Sequence, residues 1–92
     1  MNFHVRIHCE LRTSVLDAFS DNTIVDSGAG DCIVNIWYHE SIFDFVEITG
    51  DITGAGSVVL GAITGAGKIM FLNKIVFVYY CETIPKSVMA VS

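Results

Sequence analysis

The chain has 92 residues, of which 52% are hydrophobic and 16% charged, and its formal net charge is −5. This composition excludes a disordered tail and a nucleic-acid binder built on a basic surface. The length predicts one small domain spanning residues 1–92, of a size that often gains stability by dimerising. Three cysteines without Cys-x-x-Cys spacing favour a reducing compartment such as the cytoplasm.

The first half of the chain predicts short strands. Residues 3–11 alternate apolar and polar side chains, the pattern of a half-buried strand. Residues 13–22 (TSVLDAFSDN) fit either one helical turn or a wide loop. Two further strands are predicted at 23–26 and 32–39, on either side of the turn DSGAGD, and another at 41–49.

The second half is dominated by β-branched, aromatic and glycine residues. Two copies of ITGAG, at 52–56 and 63–67, predict two glycine-rich turns between strands. Pro85 is expected to end the last long strand, because proline cannot donate to the ladder. The most membrane-like window, 57–80, contains Lys68, Lys74 and several glycines, so no membrane span is expected. These patterns together predict an all-β, mostly antiparallel fold.

Charge is distributed unevenly along the sequence. No lysine or arginine occurs between Arg12 and Lys68, whereas eight acids do: Asp17, Asp21, Asp26, Asp31, Glu40, Asp44, Glu47 and Asp51. A basic partner or peptide would suit this region, and an ordinary solvated acidic face is the simpler interpretation.

Two familiar kinds of site are disfavoured by the spacing of the candidate residues. AITGAGKI lacks the first glycine and the final hydroxyl of a phosphate-binding loop, which are Ala62 and Ile69 here. His4 and His8 share one face of a strand but stand about 13 Å apart, too far for one metal ion. No metal or cofactor is therefore expected.

Asp26 is the residue that most needs an explanation, since it interrupts an apolar stretch. Peptide hydrolysis by carboxylates needs two acids that share one proton. In the sequence Thr23 to Ala29, a strand delivers an Asp, and a hydroxyl residue, a glycine and a small residue follow it. The chain has one such segment, so a second chain would have to supply the second Asp.

At these residues the sequence resembles an aspartic protease of the retroviral type, and more closely the protease of Copia-type retrotransposons. The motif reads TIVDSGAGDCIV, ITGDITGAGSVVL stands where that family has its glycine-rich flap, and the C-terminal segment is similar to the family's final strands. The resemblance runs from Thr23 to the C-terminus.

The resemblance implies a closed small β-barrel with a glycine-rich flap hairpin around 49–57, active as a homodimer on an extended polypeptide. It implies processing of a retrotransposon or retrovirus-like polyprotein, in the cytoplasm or within virus-like particles, without a cofactor. Asp26 of each subunit would form the catalytic pair, Ser27 would hydrogen-bond across the two-fold axis, and Gly28 would present its backbone. The implied substrate-binding residues are Ala29, Gly30, Asp31, Gly50, Asp51, Ile52, Thr53 and Gly54.

Two other functions remain open at this point. In a non-catalytic oligomeric β module, such as a virus-like structural protein or an inhibitor of a basic partner, DSGAGD would be an ordinary turn. A membrane-active glycine-zipper protein would need detergent when purified.

Overall fold

The fold is a single sheet of short and long strands. The computed structural model describes residues 4–8, 17–20, 23–26, 31–54, 56 and 58–90, with residues 8, 17–20 and 24–26 described by their backbone alone. The strands are β1 His4–His8, β2 Asp17–Ser20, β3 Thr23–Asp26, β4 Ile33–Val34, β5 Phe43–Thr53, β6 Val59–Phe71, β7 Lys74–Tyr80 and β8 Ser87–Ala90. A 3₁₀ helix at Ile36–Ser41 follows β4. The predicted all-β class is confirmed.

The expected closed barrel is wrong. In the described residues the strand order is β1-β5-β6-β7-β4-β8-β3-β2, which leaves β1 and β2 at opposite ends of the sheet. β1 pairs in parallel with β5, and β2 pairs antiparallel with β3. Closure would require the two end strands to pair with each other, and the sheet order contains no such pairing.

Two elements of the first half differ from the prediction. The segment expected to be a helical turn or a loop contains β2, which covers the free edge of β3. The strand expected at 32–39 is limited to Ile33–Val34 and gives way to the 3₁₀ helix. The cause is Asn35, whose side-chain oxygen accepts a hydrogen bond from the amide of Trp37 and so caps the helix.

The second ITGAG copy lies inside β6 rather than in a turn. Gly65 is paired with Tyr80 of β7, and the ring of Phe45 lies where a side chain at Gly65 would be. Gly67 in the same way leaves room for Ile42. These two glycines therefore allow side chains to pack flat on the sheet, a role that glycine in a strand can have as readily as making a turn.

The first ITGAG copy does end in a hairpin tip. β5 and β6 pair antiparallel as far as Thr53 and Val59, and the Gly54 amide donates to the Val58 carbonyl at 2.8 Å. Gly56 has a φ of 75°, in the left-handed region that favours glycine. A long hairpin with a glycine-containing tip is thus present close to the expected flap. Its opening and closing remain a prediction.

The core has two clusters on opposite sides of β4. Val34 belongs to one and Ile33 to the other, as expected for neighbouring residues of a strand. β4 pairs in parallel with β7 and antiparallel with β8, so it joins the long hairpins to the strands next to Asp26. The buried members are Cys32, Val34, Ile69, Phe71, Val78, Tyr80 and Met89 in the first cluster, and Ile7, Ile33, Ile52, Ile63 and Cys81 in the second.

A two-residue turn joins β6 to β7. Phe71 pairs with Lys74, and the residues between them, Leu72 and Asn73, have φ values of 50° and 63°. Positive φ at both central positions is the geometry of a type I′ turn, which Asn and Gly adopt readily and Leu does not. Leu72 is exposed, so it gains little from burial.

We expect Leu72→Asn to raise the free energy of unfolding by about 1 kcal/mol, because it relieves the left-handed strain without removing core contacts. Asn73→Leu, the matched reverse change, should lower it. Urea unfolding of both variants measures the effects. Equal stability of all three proteins would show that the turn is not strained at Leu72.

Candidate functional site

Asp26 is the last residue of β3, and its backbone lies beside the end of β8. β3 and β8 run in parallel, with Thr23 in register with Ser87 and Asp26 in register with Ala90. The predicted site residues Ser27, Gly28, Ala29 and Gly30 lie outside the described residues. Asp31, where the described chain resumes, is exposed and is followed directly by buried Cys32.

Ala90 contacts the chain on both sides of the DSGAGD segment. It is the register partner of Asp26, and its amide donates a hydrogen bond to Cys32 Sγ at 3.3 Å. The Cys32 thiol in turn donates weakly to the Ala90 carbonyl at 3.9 Å. The two ends of the segment are therefore held against one residue of β8.

Burial is the main cause that raises the pKa of Cys32, the nearby charge of Asp31 raises it further, and the hydrogen bond with Ala90 opposes the shift. A thiol with a raised pKa stays protonated and is a poor nucleophile. The burial of Cys32 and its two contacts with Ala90 give it a role in packing and hydrogen bonding. Its role next to Asp26 was not predicted from the sequence, where its place just after DSGAGD was the available signal.

A buried polar network around Asn35 fixes the chain that follows Asp26 and Cys32. The backbone amide of Asn35 donates to Ser87 Oγ at 2.9 Å, and the Ser87 hydroxyl donates to the side-chain oxygen Oδ1 of Asn35 at 3.0 Å. Asn35 Nδ2 donates to the carbonyls of Ile84 and Pro85, at 3.4 and 3.1 Å. One side chain thus connects the end of β4, the cap of the 3₁₀ helix and the start of β8.

The start of β3 is anchored in a similar way. The hydroxyl groups of Thr23 and Tyr38 are 2.7 Å apart, and Thr23 is almost completely buried. This contact ties the 3₁₀ helix to the strand that ends at Asp26. The backbone of β3 is therefore held at both ends by neighbouring residues.

The second group of predicted substrate-binding residues lies elsewhere in the sheet. Gly50 is buried within β5, in register with Val5 of β1 and Ile63 of β6. Ile52 and Thr53 are also buried, so their side chains face the protein interior, and Gly54 begins the hairpin tip. Four strands, β6, β7, β4 and β8, separate β5 from β3. The sheet order does not make these residues neighbours of Asp26.

Asp51 is engaged with the edge strand. Its Oδ2 accepts a hydrogen bond from His4 Nε2 at 2.8 Å, and Arg6 Nη2 lies 3.5 Å from the same oxygen. The hydrogen bond with His4 is the main cause that lowers the pKa of Asp51 below its ordinary value of 3.8. Partial desolvation opposes this shift, and the charge of His4 and the contact with Arg6 add to it. Asp51 thus fastens β1 to β5.

Other chemical possibilities were also compared with the structure. In the described part of the chain, no group of three His, Cys, Asp or Glu side chains could hold a metal ion. Among the same residues, no helix is long and apolar enough to cross a membrane. Comparison of the chain with protein-family models, curated proteins and solved structures finds no match.

We expect Asn35→Ala to lower the free energy of unfolding by about 3 kcal/mol, because it removes one side chain that serves four backbone or hydroxyl groups in a buried place. Ser87→Ala should have a smaller effect, of about 1–3 kcal/mol. The double variant should lose less than the sum, since both residues belong to one network. Denaturant unfolding of the two single variants and the double variant measures these losses, and strictly additive losses would contradict a shared network.

The contribution of Asp51 to stability should depend on pH. Its folded-state pKa is lowered, so the stabilisation is fully present above the unfolded value near 3.8 and is lost as pH falls through the folded value. The difference in unfolding free energy between wild type and Asp51→Asn should therefore shrink as pH falls below 3.8. Glu47→Gln, an exposed acid of the same strand, is the control. A difference that stays constant into strong acid would contradict the ion-pair account.

Proposed function

We propose that the chain is an aspartic endopeptidase that acts as a symmetric homodimer, with a water molecule activated between two Asp26 carboxyl groups. The observation that carries the proposal is the sequence Asp26-Ser27-Gly28-Ala29 directly at the end of β3. The pairing of Asp26 with Ala90, and the contact of Ala90 with Cys32, support the proposal by fixing the backbone at Asp26 and at Cys32. Each chain supplies one such Asp, so the proposal requires two chains.

The proposed reaction divides the work between the two acids. The ionised carboxylate removes a proton from water, and the protonated carboxyl donates a hydrogen bond to the scissile carbonyl. Two carboxyls about 3 Å apart cannot both ionise, so the pair titrates with two separate apparent pKa values. Activity should therefore fall at the high pH at which the shared proton is lost.

The sequence resemblance makes the β5–β6 hairpin the candidate flap over an extended peptide, and the proposal requires it to reach the peptide although four strands separate β5 from β3 in the sheet order. Its tip begins at Gly54, and Val58, Val59 and Leu60 beside it are exposed apolar residues. Such a surface suits apolar side chains next to the scissile bond. Because Ile52 and Thr53 are buried, residues Gly50 to Gly54 would contribute mainly backbone, while Ala29, Gly30 and exposed Asp31 would lie beside the catalytic pair.

The substrate proposed for this enzyme is the polyprotein of a retrotransposon or retrovirus-like element, processed in the cytoplasm or in a virus-like particle. This part follows from the sequence resemblance. The second candidate is a non-catalytic oligomeric β module, favoured by the many exposed apolar side chains on the long strands. In that case Asp26 would be dispensable.

We expect the wild-type chain to cleave a mixed peptide library at mildly acidic pH, and a pepstatin-type statine inhibitor to block the cleavage. Asp26→Asn should abolish it, because the variant has no carboxyl group to exchange the proton. Glu40→Gln, a matched removal of an exposed acid from the 3₁₀ helix, should retain it.

The outcomes separate the two candidates. Cleavage that survives Asp26→Asn would contradict the proposed catalytic pair. If wild type and Asp26→Asn both fold and assemble alike but neither cleaves, the non-catalytic module is the better account, and partner binding becomes the property to measure.

A further inference from the structure

One face of the β5–β6–β7 hairpins is apolar and exposed. We define the outer face by Phe43, Val46, Met70, Ile75 and Phe77, whose exposed fractions range from 40% to 61%. The alternate residues of β6, including Ile63 and Ile69, point to the other side and are buried in the two core clusters. The outer face is therefore not part of either core.

The strand register makes the outer face continuous across three strands. Met70 is paired directly with Ile75, and Lys68 is paired with both Phe77 of β7 and Phe43 of β5. Directly opposed residues of antiparallel strands project to the same side of a sheet. The ring of Phe77 also packs edge-on against Tyr79, with 5.3 Å between their centroids. The exposed side chains thus form one patch rather than scattered positions.

The size of the patch is close to what an interface needs. Side chains of this kind, partly exposed, give roughly 500 Å² of apolar surface, which lies within the range of about 300–600 Å² for the largest and often functional patch of a monomer. Each partner of a standard interface contributes about 800 Å². With exposed Lys68 between Phe43 and Phe77 and exposed Leu72 at its margin, the outer face can supply most of such an area.

The charge of the outer face favours a second copy of the same chain. The chain carries a net charge of −5, so most of its acidic surface repels another copy. On the outer face, Lys68 is balanced by Asp44, with Nζ and Oδ2 3.5 Å apart and both side chains exposed. In a two-fold arrangement, Lys68 of each copy can approach Asp44 of the other, so the attraction is reciprocal.

We propose that two copies of this chain associate through their outer faces. This contact differs from the dimer proposed for catalysis, because β4 and β8 lie between β7 and the strand that ends at Asp26. The association therefore does not rest on proteolysis. If both contacts form, the outer face joins two catalytic dimers into a larger assembly.

The test is the mass of the assembly in solution, measured by light scattering and sedimentation over a wide range of concentration. Ile75→Lys places a charge on the outer face, and Met70→Thr with Ile75→Thr removes apolar surface while keeping residues that suit a strand. Ile36→Lys is the matched control, because Ile36 is 57% exposed on the 3₁₀ helix and Ile75 is 61% exposed. Circular dichroism melts check that every variant is folded.

We expect the wild type and Ile36→Lys to have about twice the mass of the two outer-face variants at high concentration, as a two-fold contact requires. Lys68→Asp should weaken the association, and adding Asp44→Lys should restore it. Equal masses for wild type and folded outer-face variants would overturn the proposal and leave the surface to another partner. An equal loss of mass in Ile36→Lys would also overturn it. Peptide cleavage, measured separately, decides the catalytic proposal whichever result is found.

Discussion

The hydrogen bonds of the buried Asn35 side chain are the constraint on which the rest of the structure depends. β4 has only two residues, so its strand pairing alone is a weak connection. Asn35 strengthens it by binding Ser87 and the carbonyls of Ile84 and Pro85. These bonds fasten the start of β8 to the end of β4; β8 lies between β4 and β3, and its Ala90 meets both Asp26 and Cys32.

The sheet thereby separates two regions with different physical character. At one end, β3 and β8 pair in parallel, so that the backbone of Asp26 lies in register with Ala90. At the other, the long strands β5, β6 and β7 expose several apolar side chains. Both proposals involve more than one chain: the catalytic proposal requires a second Asp26, and the association proposal covers the outer face with a second copy.

The sequence predicted those elements whose signal is local. Residues 23–26 form the predicted strand, because their apolar run ends at a turn-forming segment. The strand β2 could not be predicted, since only β3 gives that segment a pairing partner. Asn35 stops the strand predicted at 32–39 by accepting a hydrogen bond from the Trp37 amide, and bonds to residues about fifty positions away in the sequence hold its side chain in place. The sequence predicts Gly65 and Gly67 as turn residues, whereas in the structure the side chains of Phe45 and Ile42 pack on them. The sequence motif identified Asp26, whereas its pairing with Ala90 could be seen only in the folded structure.

The most direct test of the account is whether one active site uses Asp26 from two chains. Wild type and Asp26→Asn can be mixed in varied proportions, unfolded together and refolded, so that mixed dimers form at random. If both acids are needed, peptide cleavage at constant total protein will follow the square of the wild-type fraction. Cleavage that falls in simple proportion to that fraction would show that each chain works alone, and would contradict the shared catalytic pair.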